Sequence, residues 1–136
     1  MKALNRRSEH IFHTLLEGME NGHKKIENNM DFMPVVIEQI GECGSNKLFS
    51  IAHYYEQNGD LVPDPEMCFM LCTRDGSVYP YYYKDTYSEQ SSVLMKNGEV
   101  KYVNVRLQAD QAYFANMWLW NIKRQQGIKL SAVRSR

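Results

Sequence analysis

The chain has 136 residues, 43% hydrophobic and 12% aromatic, with 16 Lys plus Arg against 16 Asp plus Glu and three cysteines. A chain of this length is one domain able to bury roughly two-thirds of its unfolded surface, and the composition excludes collagen, coiled coil and intrinsic disorder. Zero formal net charge excludes a surface that is a phosphate-binding field throughout.

The apolar residues of the first 18 positions are interrupted by Glu9, His10, His13 and Glu17, so the segment is no signal peptide. No apolar run approaches the ~20 residues that span a bilayer, and the expectation is a cytoplasmic protein without a membrane segment. Ser8 followed by Ile11, Phe12, Leu15, Leu16 and Met19 predicts an amphipathic helix capped by Ser8 and ended by Gly18 or Gly22, because spacings of three and four share one face. The polar stretch 22–31 reads as a loop or a short helical turn. The β-branched run that follows predicts a strand over 32–40, closed by Gly41 and the Gly44-Ser45-Asn46 turn.

From Lys47 onward the pattern is a meander. Asn58-Gly59, Asp75-Gly76 and Asn97-Gly98 each separate apolar runs, and each suits a two-residue type I′ turn, in which both central residues need positive φ. The expected strands cover 47–57, 60–73 with a break near the prolines, 77–84, 90–96 and 99–105. A two-residue loop at Asn58-Gly59 sets Pro63 opposite Tyr54, Pro65 opposite Ala52 and His53 opposite Asp64. Both prolines then occupy positions whose N–H would point away from the partner strand, so no third strand lies beside residues 60–65. The chain closes with a helix over 106–126, ended by Gly127, whose Leu107, Phe114, Met117, Trp118 and Ile122 form an apolar face that Tyr113 and Trp120 widen. The predicted fold class is α+β: an antiparallel meander sheet of five to six strands, with N- and C-terminal helices packed on one face. Residues 1–127 form the domain and 128–136 a basic C-terminal tail.

Cys68 and Cys72 fall on one expected strand, where four residues at ~3.3 Å each separate them by about 13 Å. That is too far for a disulfide or a shared metal, so all three thiols are expected to be reduced and structural, with no cofactor and no metal. No Gly-rich phosphate loop, nucleophile elbow or zinc-protease motif occurs.

The segment Tyr54-Tyr55-Glu56-Gln57-Asn58-Gly59-Asp60-Leu61-Val62-Pro63-Asp64-Pro65-Glu66-Met67 resembles a bacterial domain family of unknown function. So do Phe32-Met33-Pro34-Val35-Val36, Arg106-Leu107-Gln108 and Phe114-Ala115-Asn116-Met117-Trp118. The resemblance covers nearly the whole chain, to about residue 127. It implies an accessory protein of plasmids, phages or integrative elements, and it implies no activity and no assigned site.

Three groups of residues are candidates for function. Glu56, Asp60, Asp64 and Glu66, with His53 nearby, are the residue types of a metal- or carboxylate-dependent hydrolase, although alternation turns Glu56 to the opposite face from the others. The same charges would equally keep an exposed edge from pairing with other chains. Tyr79, Tyr81 and Tyr83 are expected on one face with Cys68, Met70 and Cys72, and Tyr82 on the other with Met67, Phe69 and Leu71. Both faces are then apolar and only one can lie under the helices, which leaves the other as core, groove or protein interface. Residues 1–110 carry 11 basic and 16 acidic side chains, net −5, whereas 111–136 carry Lys123, Arg124, Lys129, Arg134 and Arg136 without an acid, net +5. That basic end suits nucleic acid or an acidic partner. The leading expectation is a non-enzymatic binding protein of a mobile element that contacts a protein partner through the aromatic face and the hairpin around Tyr54. Homo-oligomerisation is compatible with this reading, and an enzyme or a nucleic-acid-binding factor is the alternative.

Overall fold

The structure is a computed structural model that describes residues 1–132. The element order is α1 (Arg6–Leu16), β1 (His23–Ile26), β2 (Val35–Cys43), β3 (Asn46–Gln57), β4 (Asp60–Cys72), β5 (Val78–Lys84), β6 (Glu89–Ser91), β7 (Val93–Lys96), β8 (Glu99–Val103) and α2 (Val105–Gln126). The first six strands form one antiparallel meander in the order β1-β2-β3-β4-β5-β6, and β7 and β8 form a separate hairpin. The α+β meander expected from the pattern is therefore present, with the last two expected strands detached from the main sheet.

Local chemistry explains both the agreements and the departures. The α1 cap is Asn5, whose side chain accepts the Ser8 N–H at 2.8 Å; Ser8 is already inside the helix, and its hydroxyl donates to the Asn116 carbonyl at 3.3 Å. Asparagine and serine cap equally well, so the choice turns on which residue precedes the first turn. The stretch read as a loop holds β1, because Asn21 (φ 53°) and Gly22 (φ 72°) make a third Asn-Gly turn. Asn58-Gly59 and Asn97-Gly98 have positive φ at both residues, as type I′ turns require. At Asp75-Gly76 only the glycine does, and the loop spans 73–77, closed by the Cys72 N–H to Ser77 carbonyl bond at 2.8 Å.

Prolines do not interrupt β4. Tyr54 faces Pro63 as predicted, but Ala52 faces Glu66, so His53 alone opposes both Asp64 and Pro65 in a β-bulge. A second bulge lies at Tyr81: Phe69 pairs with Pro80 and Cys68 with Tyr82. Each bulge reverses the alternation beyond it.

Two cores result. On one face of the sheet Ile37, Phe49, Ile51, Met67, Phe69 and Val78 pack with Ile11, Phe12 and Leu15 of α1 and Ala115, Trp118, Leu119 and Ile122 of α2. On the other face Cys43, Leu48, Cys68, Met70 and Tyr81 pack beneath the β7–β8 hairpin through Val93, Met95, Val100 and Val103. The hairpin leaves the sheet at Ser92, whose N–H donates to the Tyr81 carbonyl at 2.9 Å, and its tip is held where the Gly44 N–H donates to the Gly98 carbonyl at 2.9 Å. It thus crosses from β5 to the β2–β3 turn as a lid of two strands.

The side of α2 that meets the rest of the molecule differs from the predicted stripe. Met117 is 50% exposed and Tyr113 78%, whereas Gln108, Gln111 and Gln126 are buried. Gln108 Nε2 donates to the carbonyls of Lys2 and Pro80, both at 2.9 Å, and its Oε1 accepts the Lys2 N–H at 2.6 Å. Gln126 Oε1 accepts the Asn29 N–H at 3.1 Å, and its Nε2 donates to the Met33 carbonyl at 3.2 Å. These amides satisfy backbone groups that no neighbouring strand reaches. Beyond the left-handed Gly127 cap, Ile128 and Leu130 pack on the helical core, and the Ser131 carbonyl lies 2.6 Å from His10 Nε2.

Replacing Gln108 by leucine keeps the volume but leaves the Pro80 carbonyl buried without a partner. Urea unfolding of Gln108→Leu is expected to show a loss of about 1–3 kcal/mol. Gln125→Leu, two residues before the cap and half-buried, should stay within about 0.5 kcal/mol of the parent.

Candidate functional site

Beyond its pairing with β2, which ends at Val35 opposite His53, β3 continues for four residues beside β4 alone. β5 pairs with β4 only from Glu66 onward. Tyr54–Gln57 of β3 and residues 60–65 of β4 therefore form a two-stranded arm with no strand on either flank. Positions 56–61 are exposed, including Leu61 at 72%, and a Tyr55–Thr86 hydroxyl contact at 3.0 Å ties the arm to the β5–β6 turn.

The four carboxylates do not converge. Glu56 and Asp60 are exposed on the arm, Asp64 is half-buried in the bulge, and Glu66 has turned to the face opposite His53, where its Oε2 accepts the Ser50 hydroxyl at 2.5 Å. The unbroken register predicted Glu66 beside His53; the extra residue in β4 moves it. Among the described residues no group of three or more His, Cys, Asp and Glu side chains could hold a metal ion.

At the base of the arm, His53 is buried and its Nε2 has no hydrogen-bond partner. Its ring stands edge-on to Trp118 at 5.5 Å, and the Trp118 Nε1 is equally buried and unpartnered. Burial pulls the imidazole below its ordinary value of 6.5, and the Asp64 carboxylate offsets part of that.

The tyrosines divide differently from the expectation. Tyr79 is half-buried and Tyr81 fully buried under the hairpin, so Tyr81 cannot serve a partner in this fold. Tyr83, placed by the bulge opposite Met67, joins the helical face: its ring meets Phe114 edge-on at 5.3 Å, and its hydroxyl donates to Asp85 Oδ2 at 2.6 Å. That hydroxyl and the N–H groups of Tyr87 and Ser88 hold the Asp85 carboxyl below the usual carboxylate range. Tyr54 is half-buried, and burial, then Glu66, raises its hydroxyl pKa. Burial and the Glu66 charge push the Cys68 thiol up to about 12, which removes it as a nucleophile near neutral pH. Cys43, Cys68 and Cys72 are all free thiols.

The basic candidates lie elsewhere. Lys123 and Arg124 end α2 and Lys129 follows the cap; Arg134 and Arg136 lie outside the described residues. Sequence reasoning missed that Arg7 of α1 joins this group. Its guanidinium sits 4.1 Å over the Trp120 ring, with Lys123 Nζ 5.3 Å from the same ring. No local pattern connects residues so far apart in the chain; only the docking of α1 along α2 does. Among the described residues no helix is long and apolar enough to cross a membrane.

A family model described as a domain of unknown function (DUF6908) matches residues 6–128. No curated protein and no solved structure matches the chain.

His53 makes stability depend on pH. The unfolded chain takes up a proton near pH 6.5, but the fold resists it until a lower pH, so between those values the unfolded state binds more protons and stability falls as pH falls. Above about 6.5 this contribution is flat. Denaturation midpoints from about pH 8 to about pH 5 should drop more steeply for the parent than for His53→Phe; parallel curves would refute a neutral, buried His53.

Proposed function

Since the chain belongs to this family of domains of unknown function (DUF6908) over residues 6–128, we propose from its own geometry that it is a non-enzymatic accessory protein of a mobile genetic element. It acts by adding a partner's strand to its projecting arm. Inhibition of a host defence protein is one form such binding takes.

The observation that carries this reading is the asymmetry of the arm's two flanks. Counting from the Gln57–Asp60 pair that closes the turn, Tyr54 and Glu56 of β3, with Leu61 and Pro63 of β4, are the residues whose backbone groups point outward. Pro63 has no N–H and is closed to pairing. The β3 flank offers a full set of donors and acceptors at Tyr54 and Glu56, past the point where β2 stops. An open flank of this kind is the template used in strand addition, in which main-chain bonds provide affinity and side chains select the partner. Glu56 and Asp60 beside it select a basic segment. The aromatic face beneath β7–β8 takes no part, because the hairpin covers it. The carboxylates lie along the arm and on both faces of the sheet, which supports recognition over hydrolysis.

Glu56→Pro separates the arm's pairing function from its folding. Residue 56 does not donate to the β3–β4 ladder, so the substitution should cost less than about 1 kcal/mol of stability, yet it closes the outer flank. With a photo-crosslinking residue at the exposed Gln57 of β3, partner capture from a host lysate should fall about 10- to 100-fold, equivalent to about 1.4–2.8 kcal/mol. Glu56→Gln should fall less, since it loses only the charge. Capture that is unchanged in Glu56→Pro would end the strand-addition reading.

A further inference from the structure

A second surface goes beyond this reading. α1 runs alongside the second half of α2 and the segment after it. The Asn5 N–H donates to Asn116 Oδ1 at 3.1 Å, Arg7 lies over Trp120, and Thr14 Oγ1 is 3.0 Å from Ser131 Oγ. This places Arg7 of one helix, with Arg6 before it, beside Lys123 of the other, and Lys123, Arg124 and Lys129 line one depression where α2 ends. Arg6, Arg7, Arg124 and Lys129 are exposed and Lys123 is half-buried.

Among the described residues, none of these five cations forms an ion pair with a carboxylate. No acid follows Asp110 in the sequence. Glu9, the acid of α1 nearest in sequence, is 6% exposed and turned towards Gly76, on the side of the helix that meets the β4–β5 loop. What fixes Arg7 is the Trp120 ring. A cation–π contact holds a guanidinium in place without cancelling its charge, whereas a carboxylate would hold it and neutralise it. Arg7 is therefore held in place and still positive.

We propose that this ridge, Arg6, Arg7, Lys123, Arg124 and Lys129 around Trp120, binds the phosphate backbone of nucleic acid. Three of the five are arginines, whose planar forks match phosphate oxygens two at a time. The groups are spread over α1, the last turn of α2 and the segment after its cap, which favours an extended polyanion over a single small anion. The acidic arm lies on a different part of the molecule, so this surface can succeed or fail independently of strand addition.

The test is fluorescence anisotropy of the full chain with a labelled oligo-dT about 20 nucleotides long, between about 50 and 200 mM salt. With five contacts the plot of log K against log salt should have a slope of about −3.5. Arg7→Gln and Lys123→Gln should each reduce that slope by about 0.7 and weaken binding about five-fold at the lowest salt. Trp120→Leu, checked by circular dichroism to be folded, should weaken binding although no charge is removed, and Arg7→Lys should retain most of it. Lys96→Gln, on the β7–β8 hairpin, should change nothing. Absence of binding at the lowest salt would overturn the proposal, as would a slope indifferent to Arg7 and Lys123. Displacement by polyglutamate as effective as by unlabelled oligonucleotide would assign the ridge to an acidic protein instead and would also overturn it.

Discussion

The constraint on which the architecture rests is that β4 is apolar on both faces. Met67 and Phe69 face the helices, while Cys68 and Met70 face the other way, and all four are buried. A side chain of this size gains about 1.5–3 kcal/mol from full burial, so neither face can be left to water. Two terminal helices can cover only one side of a sheet. The chain meets the remaining demand by withdrawing residues 93–103 from the meander after the three-residue β6 and laying them across the second face. The short length of β6 and the detached β7–β8 pair follow from the same need.

That constraint also shows how far the pattern alone could be read. The alternation through 67–72 was legible as two apolar faces, and the Asn-Gly dipeptides were legible as turns because a type I′ turn depends on two adjacent residues. The Gly127 stop of α2 was legible for the same local reason. The identity of the second cover was not, since Val93 and Met95 alternate as any strand in a meander would, and Val100 and Val103 share a face only through an extra residue in β8. Only the three-dimensional competition between extending the sheet and covering it decides between them. The bulges at Asp64-Pro65 and Tyr81 were equally hidden, and each moved a candidate residue: Glu66 left His53, and Tyr83 left Tyr79 and Tyr81. Period-two arguments are sound up to the first extra residue and invert beyond it.

The glutamines of α2 illustrate a second limit. A hydropathy stripe assigns buried positions to Met117 and Tyr113, yet Gln108, Gln111 and Gln126 are the buried ones. Each donates to a main-chain carbonyl where the sheet or a loop leaves one unpaired: Pro80 beside a bulge, Gln90 in the short edge strand, and Met33 before β2. The helix packs through amide-to-backbone bonds as well as apolar contact, so its register along the sheet is set by hydrogen-bond geometry, which tolerates sliding far less than a greasy stripe would. The same docking aligns α1 with the end of α2 and brings Arg7 onto Trp120.

The arm's sealed and open flanks bear on stoichiometry. A ribbon able to pair on both sides can be extended without limit, and a row of such molecules grows into a fibre. With Pro63 blocking one side, a strand added to β3 leaves no fresh template on this molecule, so growth stops after one addition. If two copies meet through their β3 flanks, the contact uses the same surface on each and closes on itself as a pair. The arm can therefore present unpaired backbone to a partner while the protein stays a discrete particle.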